Sequence, residues 1–211
     1  MGVQYRGCSH LYYASVTIAS DGTITFGTPT QLAPVKSVSR DITNDNEKIY
    51  ADNVTQEITY GATGITRNFD TIKIADSIQA ELLGQTAIEI DTDLTGYATN
   101  PDGSTKPYVA VGYALHDGNV DKPCLLVWSF MNKCNSISQT SNTIDDGTGS
   151  EGQTIEFECV APKKAWTTTG KRNLDIAIPI ADDATASDVA TLVTKFFTQV
   201  VTPDNAASVL A

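Results

Sequence analysis

The side chains that most often do chemistry are few here and far apart. Histidine occurs only at His10 and His116, and neither lies near a Gly-x-Ser-x-Gly turn, which is absent. A serine or cysteine nucleophile needs a base held within hydrogen-bond reach, so this scarcity removes the usual acyl-transfer constellations. A glycine-rich run of the Gly-x-x-x-x-Gly-Lys kind is also absent, and with it the backbone cradle that P-loop nucleotide phosphates use. Cys8, Cys124, Cys134 and Cys159 form no Cys-x-x-Cys pair, and no two His or Cys have zinc-ligand spacing. His116, followed by Asp117-Gly118, reads as an exposed hairpin-tip residue with no partner to set its pKa.

Two carboxylate patterns remain. Asp91-Thr92-Asp93-Leu94-Thr95-Gly96, with Asp102 eleven residues after Asp91, matches the early positions of an EF-hand calcium loop. However, Ala87 to Ile90 reads as a strand where an entering helix belongs, and Asp102 stands where a bidentate Glu is expected. A solvated turn accounts for the string. Glu156 and Glu158 resemble the acid pair of a glycoside hydrolase, but two carboxylates two residues apart also mark any water-facing strand. The expectation is a protein that is not an enzyme, with no cofactor and no metal.

The elements that carry these residues follow from composition and pattern. The 211 residues suit one domain large enough to fold without staples. The formal charge of −11 argues against gripping nucleic acid through its phosphates and against an anionic membrane partner. Met1 to Ser20 lacks a continuous apolar run, so no signal peptide is expected, and the four cysteines read as reduced, buried small hydrophobes. Threonine (28) far outnumbers leucine (11), which favours half-wet strands over helical bundles.

Alternation predicts strands over 11–19 and 23–26 around an Asp21-Gly22 turn, then over 33–39, 65–74, 87–90, 108–115, 124–131, 154–161 and 174–180. The 65–74 strand has bulky apolar residues on both sides and is expected to be covered on both faces. A short helix is expected at 76–84, capped by Asp76 with Gln79 at the capping-box position and closed by Gly84. The last element is an amphipathic helix at about 186–200. Its Val189, Leu192, Val193, Phe196, Phe197 and Val200 recur at helical spacing, Thr185 and Asp188 suit its cap, and Pro203 stops it. Residues 41–64 have too few large apolar groups to anchor both faces. They read as a long extended arm without a core of its own, with 41–60 ordered into strands only against neighbours. Residues 132–153 read as a mobile polar loop, and 91–106 as a turn-rich one. The fold class expected is mainly β. It is a single-domain β-sandwich or barrel over 1–211, with one short and one longer flanking α-helix and the long extended arm loop.

This order of features resembles the major tail tube proteins of long-tailed (siphovirus-like) bacteriophages, in particular a group from phages of Gram-positive hosts. The residues that carry the resemblance begin with LYYASVTIASDGTITFGTPTQL (11–32) and APVKSVSRD (33–41). KIYADNVTQE (48–57) follows, with Tyr50-Ala51-Asp52-Asn53 its most specific string. GATGITRNFDTIKIADSIQAELLG (61–84), YVAVGYAL (108–115) and VWSFMNKC (127–134) complete it. The resemblance implies the fold of phage tail tubes and type VI secretion tubes. It also implies a structural virion protein whose six-fold rings stack into a hollow tube for genome delivery, assembled in the bacterial cytoplasm and residing in the virion tail. Implied partners are further copies of itself, the tape-measure protein, the tail terminator and baseplate or distal tail proteins, with DNA passing through unbound. The arm residues Ile49, Tyr50, Ala51, Asp52, Asn53 and Val54 are then candidates for inter-subunit contact. Asp41, Asp45, Glu47, Asp52, Glu57 and Asp70 are candidates for an acidic channel lining that repels DNA. The alternative reading is a carbohydrate- or cell-surface-binding β-sandwich of receptor-binding or adhesin type. Such a module would show exposed aromatics on loops, whereas Trp128 falls within a strand and Trp166 stands alone.

Overall fold

The computed structural model describes residues 5–51, 54–102, 105–119, 121–139 and 152–211, with 45–51 and 54–63 described by their backbone alone. The chain is mainly β. In chain order it forms β1 (Gly7–Ile18), β2 (Ile24–Phe26), β3 (Thr30–Gln31), β4 (Val35–Ala51), β5 (Val54–Thr71) and α1 (Asp76–Leu83). There follow β6 (Thr86–Asp91), β7 (Leu94–Ala98), β8 (Val109–His116), β9 (Pro123–Gln139), β10 (Gln153–Cys159), β11 (Asp175–Pro179), α2 (Ala186–Thr198) and α3 (Ala206–Leu210).

The main sheet runs β2-β1-β8-β9-β10-β5-β4, with β11 added to β9 and β3 to β1, while β6 and β7 form a separate two-stranded sheet. Every ladder is antiparallel. Leu11 and Tyr13 of β1 share one buried cluster with Phe69 of β5 and with Val35 and Val38 of β4. Strands from the two sides of the sheet therefore meet inside it, and the sheet curls around this core. Helix α1 contributes Leu82 and the half-buried Ile78 and Leu83 to the same cluster.

The outer face of the central strands carries a second core under α2 and α3. Successive side chains on a strand point to opposite faces, so β8 and β9 feed both cores. Val109, Val111 and Tyr113 point into the curl, and Ala110 and Ala114 point out. Gly112 pairs directly with Trp128. A Cβ at Gly112 would lie 2.8 Å from the Trp128 ring, so the strand must have glycine there for the indole to lie flat against it.

Several expectations need correction. The expected loop at 132–153 is strand up to Gln139, because Asn132, Lys133, Ser136 and Ser138 keep the β9 ladder to β10 despite their polarity, with Asn135 left out at a register shift. Residues 140–151 lie outside the described residues. The expected loop at 91–106 contains β7, paired to β6. The arm is a paired hairpin: β4 and β5 pair with each other from Val35↔Thr71 to Ala51↔Val54, which satisfies the backbone groups between the two strands and leaves the outer edge of β4 without a partner strand among the described residues. The 65–74 strand is covered on one face only, with Ile65, Arg67, Phe69 and Thr71 buried and Ile72 exposed. Asp76 is the first helical residue of α1 rather than its cap. Ala75 takes that place without a side-chain bond, and Asp76 pairs with Lys73 at 3.4 Å. Gln79 accepts from the Gln153 amide instead of closing a capping box. Gly84 ends α1 in the left-handed conformation at φ 64°. Helix α2 stops at Thr198, with Thr185 accepting from the Asp188 amide at 3.2 Å. All four cysteines are free, but only Cys134 and Cys159 are buried as expected; Cys8 and Cys124 are half-buried.

Candidate assembly surfaces

β4 is the outermost strand of the sheet, and its ladder is with β5. Seventeen residues is long for any strand, and longer still for an edge. Of the proposed arm residues, Ile49 pairs with Glu57, Tyr50 with Thr55, and Ala51 with Val54, near the hairpin's tip. Asp52 and Asn53 lie outside the described residues. Among the acidic candidates, Asp45, Glu47 and Glu57 are in the same backbone-only part of the hairpin, whereas Asp41 and Asp70 are described and exposed.

Asp41 and Asp70 belong to a larger pattern. The outward positions of β4, β5, β10 and β9 align in three rows across four strands. Ser37, Asp70, Thr154 and Ser138 form one row. Ser39, Asn68, Glu156 and Ser136 form the next, and Asp41, Thr66, Glu158 and Lys133 the third. None of the twelve is a large apolar residue, while the opposite face holds Phe69, Ile155 and Phe157 of the core. Asp70 accepts from the hydroxyls of Ser37 and Thr154, each at 2.6 Å. Those bonds hold its carboxyl below the ordinary value. Asn135 donates to Glu156. Lys133, the one cation, lies 4.8 Å from the Tyr108 ring centroid. The twelve positions thus carry four carboxylates against one ammonium, and the Lys36 charge acts on Asp70 as well. Glu156 and Glu158 therefore sit with Asp41 and Asp70, a grouping that the sequence order conceals.

Behind this face is a buried ion cluster that sequence reading missed. Arg67 is fully buried, bonded through Nη1 to Ser129 Oγ at 2.9 Å and through Nη2 to Asp175. Asp175 also receives Arg40 at 2.9 Å. Ser129 donates to Asn132, whose amide reaches the Val109 carbonyl at 3.1 Å. The cluster ties β4 and β5 to β9 and β11, at the root of the long hairpin. One signal was available: Arg67 alternates in phase with Ile65 and Phe69, and an inward arginine requires a carboxylate.

The remaining candidates are placed as follows. His116 is buried rather than exposed, held between Ser9 Oγ at 2.7 Å and the Asn119 carbonyl at 2.8 Å. His10 adopts φ 56° and stacks on Phe197 at 5.4 Å; burial, then His116, lowers its pKa. Asp91 and Asp93 lie at the β6–β7 turn, where Asp91 accepts from the Thr92 amide at 2.7 Å. Among the described residues no group of three His, Cys, Asp or Glu is placed to hold a metal. Both tryptophans belong to the outer core: Trp128 is fully buried and Trp166 is 9% exposed, packed edge-on against Phe130. Neither offers a free face on which a sugar would stack.

No protein-family model matches the sequence, and no curated protein does either. Among solved structures, the chain is similar to the anti-feeding prophage cap, a tube-terminating cap. The identity there is 10%, 85% of this chain and 95% of that one are covered, and the TM-score is 0.46. It is similar to a chain of the extended sheath–tube complex of PVC, an extracellular contractile injection system, at 12% identity, coverages of 82% and 90%, and TM-score 0.43. It is also similar to the SPP1 tail tube, at 6% identity, coverages of 82% and 78%, and TM-score 0.39.

Proposed function

We propose that this chain is the structural subunit of a phage tail tube. Copies associate into six-fold rings, rings stack into a tube, and the tube conducts genome DNA into a bacterial host. The observation that carries the reading is the β4 edge. An open edge of this length is a template for another strand, and covering by another chain is one of the ways in which natural proteins protect such edges. Ring closure by copies of the same chain covers every edge at once. The wet, acidic face across β4, β5, β10 and β9 suits a channel wall, because a basic wall would hold DNA through counterion release. In that setting the tape-measure protein occupies the lumen during assembly, and terminator and baseplate proteins cap the ends. The sequence resemblance supplies the six-fold count and the siphovirus-like setting.

Negative-stain imaging of the purified protein over a concentration series tests the reading. Rings or tubes are the expected result. Compact monomers at every concentration would overturn it.

A further inference from the structure

The β6–β7 hairpin stands outside both cores. All six residues of β6 are exposed, and neither buried cluster includes a residue of the hairpin. Ile88, Ile90 and Leu94 are 50%, 64% and 55% exposed. Ile90 folds over Gly96, which faces Ile88 across the ladder, so these apolar groups lie together. A two-stranded hairpin is marginal in water on its own, but this one is tied at its base. The Asn100 amide reaches the Gly84 carbonyl at 2.7 Å, and Gln85 reaches Thr99 at 3.0 Å. Among the described residues, the chain thus holds out an apolar surface that neither core covers.

Charge indicates what covers it. Residues 85–105 carry Glu89, Asp91, Asp93 and Asp102 and no cation. Residues 160–174 carry Lys163, Lys164, Lys171 and Arg172 and no carboxylate, in a chain of net charge −11. All four cations are exposed, beside the 37%-exposed Val160 and the exposed Ala161 and Ala165. This loop is also fixed. Asp204 accepts from the Thr167 and Thr168 amides at 3.1 and 2.7 Å, and Trp166 donates to the Asn173 carbonyl at 3.1 Å. Among the described residues the loop's salt bridge is Lys164 to Asp21, and none joins the loop to the hairpin of the same chain.

We infer that the β6–β7 hairpin of one copy docks on the 160–174 loop of the next copy, with Glu89, Asp91 and Asp93 against the loop cations and the Ile88–Ile90–Leu94 patch against Val160 and the alanines. Two different surfaces meet in such a contact. It is heterologous, and repetition of it builds a ring or a stack instead of a closed pair. The inference rests on the self-assembly reading and names the contact through which assembly proceeds.

Charge exchange tests it. A hairpin variant carries Glu89→Lys and Asp93→Lys; a loop variant carries Lys163→Glu, Lys171→Glu and Arg172→Glu. Sedimentation velocity and negative stain read assembly, and circular dichroism checks the fold. Each variant alone is expected to lose assembly at least tenfold at low salt, and an equimolar mixture of the two to regain it, since each then meets an opposite charge. If wild type assembles and both variants assemble equally well, or if the mixture gains nothing, this contact is wrong while self-assembly stands. If wild type never assembles, both readings fall. Should either variant not fold, Ile90→Ser alone is expected to lower assembly at least tenfold, and unchanged assembly would overturn the contact.

Discussion

The Trp128 indole donates a 2.9 Å hydrogen bond to the carbonyl of Phe196. That carbonyl is in the last turn of α2, where no intrahelical amide remains to satisfy it. One side chain of the central strand thus supplies both a flat apolar floor and a cap for the helix laid on it. Phe196→Ala removes a fully buried ring and is expected to cost about 3–5 kcal/mol. Trp128→Phe keeps a ring but loses the bond, leaves space beside Gly112, and should cost at least about 1–3 kcal/mol. Urea denaturation measures both; a Phe196→Ala change of less than about 0.5 kcal/mol would show that α2 is not part of the core.

The Arg67–Asp175 pair should behave as a buried ion pair does when one partner is lost. Asp175→Asn leaves the Arg67 guanidinium buried without its counter-charge, at a cost of about 3 kcal/mol, toward the low end because Asp175 is itself 20% exposed. Replacing Arg67 by Met in the same chain should recover part of that loss, since no uncompensated charge then remains. A double-mutant cycle by urea denaturation reads the coupling. Additive losses would mean that the two residues do not act as a pair.

The elements that were legible in the sequence are those whose pattern matches their burial. Val189, Phe196 and Phe197 recur at helical spacing and are the buried side of α2; Ile155, Phe157 and Cys159 alternate and are the buried side of β10. The second half of β9 was illegible because polarity there has two causes. Ser136 and Ser138 face water, while Asn132 is fully buried and satisfied by the Val109 and Ser129 carbonyls. β7 was missed because Leu94, Gly96 and Tyr97 serve no core, so no burial pattern is impressed on them. The acidic face escaped because register, not sequence distance, brings Glu158 to the same row as Asp41 through Thr66.

Asp70 offers a titration test of that face. Ser37 and Thr154 donate to its carboxylate and lower its midpoint below the ordinary aspartate value. A carboxyl whose folded midpoint is depressed adds stability that is complete above its unfolded value and is lost as pH falls through the folded one. The expected window is therefore acid, below about pH 4. NMR titration should place Asp70 below the ordinary aspartate value, and the combined Ser37→Ala and Thr154→Ala variant should raise it toward that value. An unchanged midpoint in that variant would remove the hydrogen-bond account.

The channel reading makes a demand on the same face. Duplex DNA carries one negative charge for about every 1.7 Å of its axis, so a passage lined by carboxylates repels it along its whole length, while one lined by cations releases counterions and holds it. Asp41 and Glu158 occupy one row of the face, both exposed, and neither supports the fold through a hydrogen bond in the way Asp70 does. Asp41→Lys with Glu158→Lys in phage particles is therefore expected to leave tube assembly intact and to slow or stall DNA ejection. The defect should deepen at low salt, where the screening length grows from about 8 Å at physiological ionic strength to about 30 Å at 0.01 M. Ejection timed by dye exclusion from emptied capsids gives the rate at each salt concentration. Tubes that assemble normally and eject at the wild-type rate even at low salt would show that this face does not look into the channel, and the acidic rows would then serve only to keep an outer surface wet.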